Sequence, residues 1–190
     1  LVQRGVYDRV VARLAERFAA LRSGPAQADL DLGPIISARQ KAMIEGFVEI
    51  ARRELTLIGE GQVAAAAPAG GHYLPAMVFG DVAPDHRLAQ EEIFGPVQVV
   101  IPFDTEEEAV RIANGTPYGL VAGVWTRDGD RMLRMARTLR AGQVFLNNYG
   151  AAGGVELPFG GVGRSGHGRE KGFEALYGFT VLKTVAAHHG

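Results

Sequence analysis

The chain has 190 residues, 47% of them hydrophobic, with 20 Lys and Arg against 21 Asp and Glu. That is enough apolar material for one domain, while balanced charge without a basic stripe gives no footprint for nucleic acid, and no run reaches the ~18–20 apolar residues that span a bilayer. Cysteine is absent, which excludes disulfides, thiolate metal sites and a cysteine nucleophile within the chain and leaves a cytoplasmic setting as the default expectation.

Leu1-Val2-Gln3 reads as the end of a strand already under way, so the sequence is expected to be a piece of a longer chain. Val6 to Leu21 is predicted as a helix, because Val6, Val10, Val11, Leu14, Phe18 and Leu21 recur at three- and four-residue spacing. Ser23-Gly24-Pro25 ends it, and Asp29 to Pro34 is a loop. Ser37 is placed to cap a second helix, Ala38 to about Arg53.

Thr56 to Ile58 is predicted as a strand, Gln62 to Gly71 as a surface loop, and Ala76 to Phe79 as a strand. Val97 to Phe103 is nearly all apolar, as a strand covered on both faces would be. Thr105 caps a helix to Asn114, with Glu106, Glu107 and Glu108 favourably placed in its first turn. The 114–119 segment is a turn. Leu120 to Thr126 is a strand, Asp130 to Leu139 a helix and Gln143 to Asn147 a strand. A Gly-rich stretch from Gly150 to Gly168 follows, then a short helix at Arg169 to Tyr177 and a last strand at Thr180 to Ala187. Strands alternating with helices predict an α/β fold with a largely parallel sheet flanked by helices.

Four motifs invite a chemical reading. Gly161 to Gly166 matches the spacing of a dinucleotide-binding loop. That motif needs a following β-α-β unit and an acidic residue about twenty positions on, and neither is available here. A turn whose backbone makes a close approach is the better reading. Gly163-Arg164-Ser165-Gly166-His167 approaches a serine nucleophile elbow, but His167 stands where the second glycine belongs, so a Ser hydrolase is the weaker alternative. Glu91-Glu92-Ile93-Phe94-Gly95-Pro96 sets two carboxylates before an apolar strand. They could form ion pairs in a loop or face a cleft. Asn147-Asn148-Tyr149 ends a strand, where α/β sheets bind ligands and where turns also form. The five histidines show no metal-ligand spacing, so no metal is expected.

Taken in order, several segments resemble the aldehyde dehydrogenase superfamily. Glu91 to Val97 is similar to its E-E-I-F-G-P signature, Ala113 to Leu120 to its A-N-x-T-x-Y-G-L turn, and Pro158-Phe159-Gly160-Gly161 with Ser165-Gly166 and Gly168-Arg169-Glu170 to its P-F-G-G…S-G-x-G-R-E run. Asp31 to Pro34, Leu74 to Phe79 and Leu182 to Val185 resemble further landmarks.

The resemblance implies a parent enzyme that oxidises an aldehyde to a carboxylic acid with NAD or NADP, through a cysteine thiohemiacetal and thioester. It places the nucleophilic cysteine, the general-base glutamate and the nucleotide domain outside this chain, so the chain alone is expected to be inactive. It divides the chain into a catalytic-domain portion (1–164), a connecting loop and short helix (165–178) and a strand arm (179–190) through which the protein forms a homo-oligomer. Glu92 is implied at the nicotinamide ribose, Phe94 beside the nicotinamide and Gln40 near the adenosine-side ribose. Asn147, Tyr149, Glu156 and Phe159 are implied at the aldehyde, and Glu170 as a carboxylate for proton relay. The small residues Gly150-Ala151-Ala152-Gly153-Gly154 suggest a wide tunnel for a bulky, aromatic aldehyde, whereas Glu156 would suit a cationic one. The alternative from another class is a scaffold or binding relative without catalysis.

Overall fold

In the computed structural model, which describes residues 1–150 and 154–190, the chain divides into two units, Leu1–Ala109 and Val110–Gly190. The first begins with Val2–Gln3 (β1), which pairs in parallel with Pro102–Phe103. Tyr7–Ala20 (α1) follows, as the apolar spacing predicts. Arg22–Ser23 (β2) leads through a loop to Ala38–Glu54 (α2). Ser37 caps α2, its hydroxyl accepting a hydrogen bond from the Gln40 N–H at 3.2 Å.

Thr56–Glu60 (β3) is longer than predicted, and the expected surface loop opens with a two-residue strand, Gln62–Val63 (β4), parallel to β2. Met77–Gly80 (β5) lies between β3, antiparallel to it, and Val97–Val99, parallel to it. Arg87–Gln90 (α3) is a single helical turn that the sequence reading did not anticipate. Its cap is His86, whose Nδ1 accepts from the Leu88 N–H at 3.1 Å.

The predicted strand 97–103 is broken into Val97–Val99 (β6) and Pro102–Phe103 (β7). Proline has no N–H for a ladder, and the two pieces serve different partners, β5 and β1. Two apolar clusters hold this unit. Ile44, Phe47, Val48 and Ala51 of α2 pack with Leu74, Met77, Phe79, Leu88 and Ile93. Tyr7, Val78 and Val100 form a second group with Val11, Leu14 and Phe18 of α1 packed on it.

Glu106–Ala113 (α4) carries the chain across the division between units, and Thr105 caps it by accepting from the Glu108 N–H at 3.2 Å. In the second unit Val121–Val124 (β8) pairs in parallel with Gln143–Leu146 (β9). Gly129–Thr138 (α5) connects them, capped by Asp128, whose carboxylate accepts from the Arg131 N–H at 3.0 Å. That bond is the main reason the Asp128 carboxyl lies below its ordinary pKa.

The fold is therefore α/β with short, mostly parallel sheets; β3–β5 is the antiparallel pairing among the described strands. No helix among the described residues is long and apolar enough to cross a membrane. Two expectations near the end of the chain are corrected. The short helix is a 3₁₀ segment, Phe173–Phe179, delayed because Lys171 and Gly172 take left-handed φ of 58° and 64°. Thr180 to Ala187 is not a strand: among the described residues no ladder partner meets it, and its backbone runs without paired hydrogen bonds.

Candidate functional site

The first unit gathers Gln40, Glu92 and Phe94 at one loop. Ile93 is buried under α2 in the core and fixes the loop on its inner side. Phe94 then turns outward: its φ is +54° and 69% of its surface is exposed. A bulky residue takes that left-handed conformation only where its surroundings enforce it. Gly95 sits directly over Ile44, so close that an added Cβ would lie 2.6 Å from the Ile44 Cδ1. The Gln40 side-chain amide reaches across from α2 and donates to the carbonyls of Ile93 at 3.3 Å and Phe94 at 3.1 Å.

The two carboxylates have separate fates. Glu91 accepts a bidentate pair from Arg87 at 2.9 and 3.1 Å, and the Arg87 guanidinium in turn stacks 4.7 Å above the Phe47 ring. Glu92 is exposed and has no hydrogen bond or ion pair among the described residues. The ion-pair reading thus applies to Glu91, and Glu92 keeps its acceptor capacity.

The second unit gathers the residues implied at the aldehyde. Phe159 and Glu170 form a two-way backbone bridge, with both N···O distances 2.6 Å. The Glu170 carboxylate itself is exposed. Tyr149 stands 5.9 Å from Phe145, ring to ring. A cavity of about 210 Å³ is bounded by Phe145, Tyr149, Leu157 and Phe159, with Gln143 and Lys171 as its polar members. The Gln143 amide is already committed to the Pro158 carbonyl at 3.2 Å. The Lys171 ammonium lies 5.7 Å from the centroid of the Phe159 ring. Sequence reasoning missed Lys171, and only its place after Gly168-Arg169-Glu170 could have drawn notice.

Two expected site residues stand apart from this cavity. Asn147 has φ +51°, and its side chain accepts from the Thr126 N–H at 2.9 Å and donates to the Thr126 carbonyl at 2.8 Å. It joins the ends of β8 and β9. Glu156 is exposed and does not border the cavity. Of the small-residue loop, Gly150 and Gly154 border the cavity, whereas Ala151, Ala152 and Gly153 lie outside the described residues.

The Gly-rich run is architectural. Gly163–Ser165 is a 3₁₀ turn, Val162 and Arg164 donate to the carbonyls of Gly119 and Pro117, and the Ser165 hydroxyl accepts from the Gly119 N–H at 3.0 Å. Gly163 has φ +60°, and a Cβ there would meet the Pro117 oxygen at 2.5 Å.

Comparison with known proteins gives these two clusters a context. The model of the aldehyde dehydrogenase family matches residues 1–185. A betaine aldehyde dehydrogenase of Cereibacter sphaeroides is 43% identical over 185 residues, 97% of this chain and 38% of that protein. A crystal structure of a Burkholderia cenocepacia protein assigned to the aldehyde dehydrogenases superposes with a TM-score of 0.95 at 61% identity, covering 99% of this chain and 40% of that one. A Mycobacterium tuberculosis aldehyde dehydrogenase complexed with NAD+ superposes with a TM-score of 0.83 at 36% identity, covering 94% and 37%. The chain belongs to the aldehyde dehydrogenase family. It spans 38% of the length of the curated relative it matches.

Proposed function

We propose that the chain is part of an enzyme that oxidises an aldehyde to the carboxylic acid with NAD+ or NADP+. The observation that carries this reading is the loop at Glu92 and Phe94, which presents an exposed carboxylate and a solvent-facing aromatic ring from a braced backbone. These residues fit a nicotinamide nucleotide. A carboxylate accepts hydrogen bonds from ribose hydroxyls, and an aromatic face suits the nicotinamide ring and keeps water from it.

The dinucleotide, when bound, supplies the hydride acceptor. In this reading Glu92 anchors the ribose and Phe94 limits the space open to the ring. Tyr149 and Phe159 bound the aldehyde, and the exposed Glu170 carboxylate takes or returns a proton. The chain has no cysteine, so the thiol that the family's thioester chemistry requires belongs to another part of a longer protein. These residues alone are expected to turn over no aldehyde.

The aromatic-walled cavity and the glycines at its border favour a bulky, aromatic aldehyde, and Lys171 in its wall disfavours a cation. A second reading, a cationic aldehyde held by Glu156, is favoured by the matched relative's name, since betaine aldehyde carries a quaternary ammonium group. Residues 179–190 would serve as an arm that pairs with a second copy.

The test is reduction of NAD+ and NADP+ by the full-length protein with aliphatic, aromatic and cationic aldehydes, followed by nicotinamide absorbance. Aldehyde-dependent reduction, fastest with aromatic substrates, supports the reading. Reduction fastest with a cationic aldehyde moves the choice to Glu156. No reduction with either nucleotide leaves the non-catalytic relative.

A further inference from the structure

We infer that Gln40 is a positioning residue: its side-chain amide holds the Glu92–Phe94 loop in its ligand-ready shape. The inference rests on the proposal that this loop faces the cofactor.

The geometry argues in three steps. First, Phe94 is held at φ +54° with its ring exposed, so burial of its own side chain does not stabilise that conformation. A loop left to itself would relax to an extended or right-handed backbone and carry the ring and the neighbouring carboxylate elsewhere.

Second, the carbonyls of Ile93 and Phe94 converge on one donor, the Gln40 Nε2, at 3.3 and 3.1 Å. A primary amide has two N–H groups on one planar nitrogen and can serve both carbonyls together. Hydroxyls and indoles have only one.

Third, Gln40 is itself anchored. It lies in the first turn of α2, and its N–H donates to the capping Ser37 hydroxyl. One turn further along α2, the fully buried Ile44 lies beneath Gly95. The same helix thus supplies both a floor under the loop and a bracket across it. With both amide hydrogens committed to the loop, the Gln40 side chain keeps only its Oε1, an acceptor, for any ribose hydroxyl, so its N–H groups serve the loop and not the ligand.

The experiment uses the full-length protein and two variants. Gln40→Leu removes both donors at similar size, and Gln40→Glu keeps the shape but offers an acceptor to two carbonyls. The first readout is hydrogen–deuterium exchange over residues 91–97 in protein free of nucleotide. The second is NAD+ and NADP+ affinity by calorimetry, with kcat, the KM for nucleotide and the KM for aldehyde measured alongside.

Losing two neutral hydrogen bonds should raise exchange in this segment about tenfold and weaken nucleotide binding by a similar factor, about tenfold. Aldehyde KM and exchange in the rest of α2 should stay near wild type. A purely structural role would spread the exchange along α2 and Ile44 instead. Wild-type exchange in 91–97 with unchanged affinity, in either variant, overturns the inference. If wild-type protein binds neither nucleotide, the functional reading fails and takes the cofactor part of the inference with it. The exchange result then still decides whether Gln40 holds the loop.

Discussion

Gly95→Ala should destabilise the first unit although alanine is tolerated by its backbone. Gly95 is not among the residues with left-handed φ, so the cost is packing alone. A Cβ would lie 2.6, 2.7 and 3.0 Å from the Ile44 Cδ1, Cγ1 and Cγ2. Carbon contacts settle at about 3.5–4.0 Å, so the Ile44 side chain must retreat by roughly 1 Å. Turning the Cδ1 away relieves only the first contact. Ile44 is fully buried among Phe47, Val48 and Phe79, which leaves no free volume behind it. Overpacking of this kind costs about 1–3 kcal/mol, and the reduced freedom of the unfolded chain recovers about 0.4–1, so the net loss is about 0–2.6 kcal/mol, centred on about 1.3. The assay is urea unfolding of Gly95→Ala, Ile44→Val and the double variant. Ile44→Val alone removes the nearest atom and costs about 0.5–1.5 kcal/mol. The double variant should lose less than the sum of the singles, because the Cδ1 that obstructs the new methyl is gone. Strict additivity of the two substitutions would refute the claim that Ile44 is the floor of this loop.

Two further outcomes follow from single contacts. Asp128→Ala removes the cap of α5 and should lower stability at neutral pH. Because the Arg131 N–H holds the Asp128 carboxyl below its ordinary pKa, the capping stabilisation is complete above the usual carboxylate range and fades as pH falls through the lowered value. Unfolding measured against pH should therefore show variant and wild type converging in acid and separated at neutrality. Glu92→Gln in the full-length protein should weaken nucleotide binding by about tenfold or more, the effect of replacing a charge-assisted hydrogen bond by a neutral one. Calorimetry reads this directly, and an unchanged affinity would remove Glu92 from the nucleotide site.

The parts of the fold that could be read from sequence are those whose cause is local. α1 follows from its apolar spacing, and α2 and α4 from that spacing together with Ser37 and Thr105 as caps. α3 has a nonlocal cause: four residues cannot sustain a helix by propensity, and this turn exists because Leu88 is buried against the α2 cluster and His86 supplies an uncommon cap. The break at Pro102 had a local signal, the missing N–H, which the apolar run around it outweighed. At the candidate site, Glu92 and Phe94 were legible as a motif. The separation of Glu91 from Glu92 was half legible, since Arg87 and Glu91 are four residues apart, at the start and just past the end of α3. The role of Gln40 was not, because its partners lie 53 and 54 residues away and only the fold brings them together.

The end of the chain offers the least ambiguous physical demand. Phe179 and Val181 are each 90% exposed, and Leu182 and Val185 are likewise open to solvent. Fully covering side chains of this kind contributes about 1.5–3 kcal/mol each, so four of them represent roughly 6–12 kcal/mol of unrealised burial. A segment whose backbone has no ladder partner among the described residues and whose apolar side chains are exposed has two needs, a ladder partner and a cover. A second copy presenting a sheet edge meets both at once. Removing residues 179–190 from the full-length protein should therefore lower its oligomeric mass, measured by light scattering after size-exclusion chromatography. The unfolding midpoint should fall with it, because association stabilises the folded state by mass action. An unchanged mass would mean that the segment is covered within its own chain, and the proposed arm would be withdrawn.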